Sequence, residues 1–166
     1  MGVESIFGEG STFWIELPVI ESQLAKIKNS DGISDPHSIQ SVKTGTILYI
    51  EDNSSNIELV EQIIMIQRPN IKLITNTLGK NAAPLAMENK PDLILLDLNL
   101  PDIHGSEVLQ MLQTEVSTST IPVVVISADA MLPQIKKLLS AGAKDYLTKP
   151  IEIDDFLKVI DQYMGN

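Results

Sequence analysis

There is no cysteine in the 166 residues, which excludes disulfides and thiolate metal sites and leaves no sign of an oxidising compartment. No apolar run approaches the ~18 residues that cross a bilayer, and the N-terminus carries no signal-peptide pattern. The chain is therefore expected to be cytoplasmic, with any membrane anchor supplied by sequence outside it. Basic residues are few: 12 Lys and Arg stand against 22 Asp and Glu, a net charge of −10. That surplus argues against intrinsic affinity for nucleic acid or anionic membrane, while leaving a basic protein partner open. What is present is a hydrophobic content of 43%, enough for a real core. The length suits one ordinary domain plus a tail.

The first 45 residues supply the tail. Ser11 to Leu17 alternates, with Phe13, Ile15 and Leu17 on one side and Thr12, Trp14 and Glu16 on the other. Period two marks a strand; Gly8-Glu9-Gly10 marks the turn before it and Pro18 its end. A lone strand is not stable, so it must pair with something. From Glu21 to about Lys43 the pattern fades into Ser, Asn, Asp, Gly, Pro and Lys, a linker composition, with a short helical turn expected near Gln23 to Lys28. His37 reads as a solvated loop residue.

From Thr46 the chain alternates strand and helix. Strands are expected at Thr46–Ile50, Ile71–Thr75, Leu93–Leu96, Pro122–Ile126 and Asp145–Leu147. Helices are expected near Ser54–Ile66, Asn81–Asn89, Ser106–Gln113, Ala130–Ala141 and Ile153–Met164. Asn53 or Ser54 can cap the first, whose buried stripe is Ile57, Val60, Ile63 and Ile64. Pro84 is tolerable only in a first turn, and Gly142 is a natural helix stop. The last helix is expected to bury Ile153, Phe156, Leu157, Ile160 and Tyr163; Met87, Met111 and Met131 read as helix-face packing, and His104 as exposed loop. Regular alternation implies an α/β fold: a doubly wound, five-stranded parallel sheet with helices on both faces. Right-handed crossovers make the flavodoxin-like strand order 2-1-3-4-5 the leading topology.

That order places strands one and three side by side, and with them Glu51, Asp52 and Asp97 in one crevice at the carboxyl ends of the strands. Two unit charges ~4 Å apart repel by about 4 kcal/mol at an effective dielectric near 20, so such a cluster needs a cation. All-oxygen ligands suit Mg²⁺ or Mn²⁺. Lys149 ends the fifth strand with a fixed positive charge, and Ser127 ends the fourth with a hydroxyl. A carboxylate nucleophile surrounded by positive charge and donors is what phosphoryl transfer requires.

Residues 46–166 resemble the receiver domain of two-component response regulators along their whole length. The resemblance rests on Tyr49-Ile50-Glu51-Asp52-Asn53, on Asp97 to Pro101 with His104-Gly105, on Ser127-Ala128 and on Lys149-Pro150. It implies that Asp97 is the phosphorylated residue, that Glu51, Asp52, Asp97 and the backbone carbonyl of Asn99 hold Mg²⁺, and that Ser127 and Lys149 contact the phosphoryl oxygens. It also implies a cis Lys149–Pro150 bond and a switch formed by Ser127 and Tyr146, acting on the face built from the fourth helix, fifth strand and fifth helix. A homodimer through that face is a further expectation. His104 stands where aspartate is common, and Ser127 where threonine is frequent; neither removes a required function. The spacing of Asn53 and Asn56 is similar to that in receivers of hybrid kinases.

The segment GVESIFGEGSTFWIELP resembles the C-terminal end of the ATP-binding domain of sensor histidine kinases. The rest of that domain is not represented, so the chain itself is not expected to bind ATP. Together the resemblances divide the chain into 1–18, a kinase remnant; 19–45, a linker; and 46–166, a receiver. They imply the C-terminal part of a hybrid histidine kinase, with a kinase or histidine-phosphotransfer protein as phosphodonor. Two other readings are a stand-alone or non-phosphorylated receiver-like interaction module, and a flavodoxin-like cofactor binder. Against the last, Glu51-Asp52 would repel a cofactor phosphate.

Overall fold

The computed structural model describes residues 2–6, 10–14, 44–128 and 131–164. The chain divides into two units, Met1–Ser38 and Ile39–Asn166. In the first, β1 (Gly2–Ile6) and β2 (Gly10–Trp14) pair antiparallel, Gly2 opposite Trp14 and Ile6 opposite Gly10. The partner that the alternating segment needs is thus the stretch just before it. Gly2–Ile6 was not expected to be a strand, because five residues holding Gly, Glu and Ser carry little apolar pattern. The expected continuation of β2 to Leu17, the helical turn near Gln23–Lys28 and His37 lie outside the described residues.

The second unit is the expected α/β sheet. In chain order it comprises β3 (Gly45–Ile50), α1 (Ser54–Gln67), β4 (Ile71–Asn76), α2 (Ala82–Asn89), β5 (Leu93–Asp97), α3 (Gly105–Thr114), β6 (Val123–Ser127), α4 (Leu132–Ser140), β7 (Asp145–Thr148) and α5 (Ile153–Tyr163). The sheet runs β4-β3-β5-β6-β7, all parallel, which is the order 2-1-3-4-5. Asn53 is the cap of α1, its side chain accepting from the amides of Ser55 and Asn56. Pro84 falls in the first turn of α2, and Gly142, at φ 108°, follows the end of α4. The Lys149–Pro150 bond is cis. Among the described residues no helix is long and apolar enough to cross a membrane.

Strand alternation divides the core in two, because successive side chains point to opposite faces. Leu48, Ile50, Ile94, Leu96, Val123 and Val125 pack with α2 and α3 on one face. Ile47, Tyr49, Leu93, Leu95, Val124 and Ile126 pack with Val60, Ile63 and Ile64 of α1 and Phe156 and Ile160 of α5 on the other. Each such aliphatic side chain contributes about 1.5–3 kcal/mol on burial. Two expectations fail at helix margins. Ile153 is 47% exposed, while Val159 and Met164 are buried; side chains of a helix lean toward its N-terminus, so the first helical residue has no preceding turn to pack over. Met87, Met111 and Met131 are likewise exposed rather than packed. Met87 and Met111 lie about 100° round their helices from the buried Ala86 and Leu112, and Met131 is the residue before α4.

Gly105 fixes where α3 starts. Its amide donates to the carbonyl of Leu98 at 2.9 Å, and a Cβ there would collide with the Asp97 carbonyl and lie 2.7 Å from the Leu98 Cα. Backbone cannot yield as a flexible side chain does. Gly105→Ala is expected to destabilise the fold by about 2–4 kcal/mol, read as a lowered urea midpoint with unchanged m-value.

Candidate functional site

The topology delivers the expected residues to one place. Ile47 and Tyr49 share one face of β3, which Glu51 follows directly, and Leu93, Leu95 and Asp97 share the same face of β5, with Tyr49 in register with Leu95. One carboxylate oxygen each from Glu51, Asp52 and Asp97 lies within 4.8 Å of the others. Glu51 is fully buried, Asp97 is 2% exposed, and Asp52 is exposed. Asn99 is exposed in the loop after β5. The buried Ser127 ends β6, and its carbonyl accepts from the Lys149 amide at 2.9 Å. The Tyr146 hydroxyl also approaches that carbonyl, at 3.5 Å, so the two expected switch residues are neighbours.

Lys149 bridges the two buried acids. Its Nζ donates to Glu51 Oε2 at 2.7 Å and lies 3.0 Å from Asp97 Oδ1. The second approach is an ion pair off the hydrogen-bonding direction, so Oδ1 is buried with its hydrogen-bonding capacity unfilled. Burial pushes the Asp97 carboxyl pKa above the usual aspartate value; the nearby Glu51 charge adds to this, while Lys149 and the Leu98 amide oppose it. Burial works against the Lys149 ammonium, but its hydrogen bond to Glu51 and the attraction of both carboxylates prevail and hold its pKa above the ordinary lysine value.

The raised Asp97 pKa has a consequence for stability. A carboxyl whose pKa is higher folded than unfolded favours the fold while protonated and loses that contribution as pH rises through the folded value. At neutral pH Asp97 is thus a cost, and Asp97→Asn is expected to stabilise the fold in the presence of a metal chelator. Calorimetric scans should show Tm raised at pH 7 and the gain disappearing in acid, where Asp97 is protonated in both states.

Three partners were not anticipated from sequence. The Tyr49 hydroxyl, fully buried, donates to Glu51 Oε2 at 2.9 Å; burial above all, then the Glu51 charge and that hydrogen bond, drive the phenol pKa far upward. Asn56 Nδ2 donates to Glu51 Oε1 at 3.1 Å; because a carboxylate only accepts, the contacting atom must be the amide nitrogen. Asp102 accepts from the amides of Gly79 and Lys80 at 2.8 and 3.0 Å, pinning the loop after Asp97 to the turn before α2. Those backbone donors hold its carboxyl below the usual aspartate range. For Tyr49 a signal was available: a tyrosine two positions before a glutamate in a buried strand shares its face.

The donor set suits a hard divalent cation. Three carboxylates that approach this closely offer oxygen only, the ligand class of Mg²⁺ and Mn²⁺.

Comparison with known proteins agrees with this geometry. Residues 47–161 match the family described as Response regulator receiver domain. The polar-differentiation response regulator DivK of Brucella ovis is 32% identical over 123 residues, covering 74% of this chain and 98% of that protein. Response regulator Rcp1, solved in its Mn²⁺-bound form, is 29% identical with a TM-score of 0.60, covering 71% of this chain and 90% of that one. The receiver domain of sensor histidine kinase PA1611 from Pseudomonas aeruginosa, solved with magnesium in its active-site cleft, superposes with a TM-score of 0.66 at 24% identity, covering 74% and 99%. By its sheet order, its clustered acids and these matches, the chain belongs to the response regulator receiver family.

Proposed function

We propose that Asp97 accepts a phosphoryl group from a phosphohistidine, on a histidine kinase or a histidine-phosphotransfer protein. A carboxylate oxygen of Asp97 forms the new bond to phosphorus as the phosphorus–nitrogen bond breaks, and the departing imidazole takes a proton from solvent. The observation that carries this reading is the buried pair of acids bridged by Lys149, at 2.7 Å from Glu51 and 3.0 Å from Asp97, beside the exposed Asp52. Mg²⁺ or Mn²⁺ would be held by Glu51, Asp52, Asp97 and the Asn99 carbonyl. When bound, it neutralises charge on the transferring phosphoryl oxygens.

Lys149 and Ser127 serve as the protein's contacts to those oxygens. The acyl phosphate adds negative charge beside Ser127, drawing its hydroxyl inward and letting Tyr146 follow. The surface of α4, β7 and α5 then shifts between two populated states and can recruit a partner or a second copy. The motif in residues 2–18 supports a hybrid histidine kinase as parent, with 1–18 its kinase remnant, 19–45 a linker and 46–166 the receiver. Fluoroberyllate, which mimics an aspartyl phosphate, tests the site. Calorimetry should show uptake that requires Mg²⁺; absence of uptake at saturating Mg²⁺ would favour a module that binds partners without phosphate.

A further inference from the structure

Tyr49 is the largest fully buried side chain of the described core, and its hydroxyl ends on Glu51 Oε2 at 2.9 Å. That same oxygen receives Lys149 Nζ at 2.7 Å. The other oxygen, Oε1, receives the Asn53 amide at 3.2 Å and Asn56 Nδ2 at 3.1 Å. A carboxylate oxygen has two acceptor positions, so Tyr49 and Lys149 divide Oε2 between them. Lys149 is meanwhile only 3.0 Å from Asp97 Oδ1, an atom with no hydrogen bond of good geometry. The ammonium is thus shared between two acids, and its division depends on how strongly Glu51 claims it.

We infer that Tyr49 is a positioning residue for the phosphoacceptor site: by occupying one acceptor position on Glu51 Oε2, its hydroxyl weakens the hold of Glu51 on Lys149 and leaves the ammonium free to serve Asp97 and the anionic group placed on it. The inference rests on the phosphoacceptor reading and assigns that site a component in the interior of the sheet. Tyr49 touches no reacting atom; it acts through Glu51 and Lys149. Without the phenol, Oε2 keeps Lys149 as its donor, and the ammonium is drawn toward Glu51 and away from Asp97. The cost falls on binding a phosphoryl-like group and on its transfer, not on binding of the cation alone. Asn53 and Asn56 still hold Oε1, so Glu51 stays in place.

Tyr49→Phe keeps the ring that fills the core and removes only the donor. On the full chain, three quantities separate the roles: the Mg²⁺ dissociation constant by calorimetry, fluoroberyllate affinity at saturating Mg²⁺, and the rate of labelling by acetyl phosphate. Tyr49→Phe is expected to leave Mg²⁺ affinity within about threefold while weakening fluoroberyllate binding and slowing labelling by about tenfold each. In a Lys149→Met background, where no ammonium is shared between the two acids, the same change should slow labelling less than about twofold. Equal losses in Mg²⁺ and fluoroberyllate binding would mark a purely structural role and overturn the inference. So would an unaltered Tyr49→Phe, or the same tenfold slowing of labelling in the Lys149→Met background. If the unchanged chain binds fluoroberyllate while Tyr49→Phe shows no split, the inference alone falls. If the unchanged chain binds none, the phosphoacceptor reading falls and takes the inference with it.

Discussion

Asp97→Asn is expected to lower incorporation of acid-labile phosphate from acetyl phosphate by at least about 10³-fold, at any Mg²⁺ concentration. The amide matches the carboxylate in shape, but its oxygen carries no net charge and its nitrogen has no available lone pair, so neither attacks phosphorus. The same variant is expected to unfold at a higher temperature than the unchanged chain, since it removes a buried carboxylate beside Glu51. Loss of labelling in a more stable protein separates a missing nucleophile from a damaged fold. Intact-mass measurement reads the first and calorimetry the second.

Replacing Lys149 carries the second largest effect. Lys149→Met keeps much of the aliphatic stem and deletes the charge that both Glu51 and Asp97 use. Labelling from acetyl phosphate is expected to fall by about 10²–10³-fold, the scale for removing one preorganised group that meets charge developing in the transition state. Stability at pH 7 should fall by about 2–4 kcal/mol, because removing one partner leaves buried carboxylate charge without its counter-charge. The pKa of Lys149 is raised in the fold, so its contribution is fully present below the ordinary lysine value and is lost only as pH rises through the folded one. At pH 7 the whole penalty should therefore be visible. In the Asp97→Asn background the same lysine change should cost about 1–3 kcal/mol less, since one of the two stranded charges is gone. Urea titrations of the four proteins measure this coupling.

The sheet was legible because its signals are local. Leu93-Ile94-Leu95-Leu96 and Val123-Val124-Val125-Ile126 are short continuous apolar runs bounded by turn residues, the pattern of a strand buried on both faces, and all of these residues are buried. Strand ends carrying Glu51, Asp97, Ser127 and Lys149 then followed from the alternation of elements. What stayed hidden depends on contacts between distant segments or on helix margins. The exposure of Ile153 reflects its place at the start of α5, where periodicity gives no warning. The strand Gly2–Ile6 exists through its pairing with Gly10–Trp14 rather than through its own composition. Asp102 reads as an ordinary turn residue until the amides of Gly79 and Lys80 are seen to end on it. Tyr49 reads as core, and it is core; that its hydroxyl also completes the shell of Glu51 depends on a rotamer that alternation alone does not specify.

In the proposed reaction one aspartate, at the end of the third strand of the sheet, forms an acyl phosphate. Borohydride reduces an aspartyl phosphate to homoserine and leaves free carboxylates untouched. The chain should therefore be incubated with acetyl phosphate and Mg²⁺, reduced, digested and sequenced by tandem mass spectrometry. The expected result is homoserine at position 97, dependent on Mg²⁺ and absent when acetyl phosphate is omitted. Homoserine at Asp52 or Asp102 with none at 97, or no homoserine anywhere despite saturating donor and Mg²⁺, would contradict it.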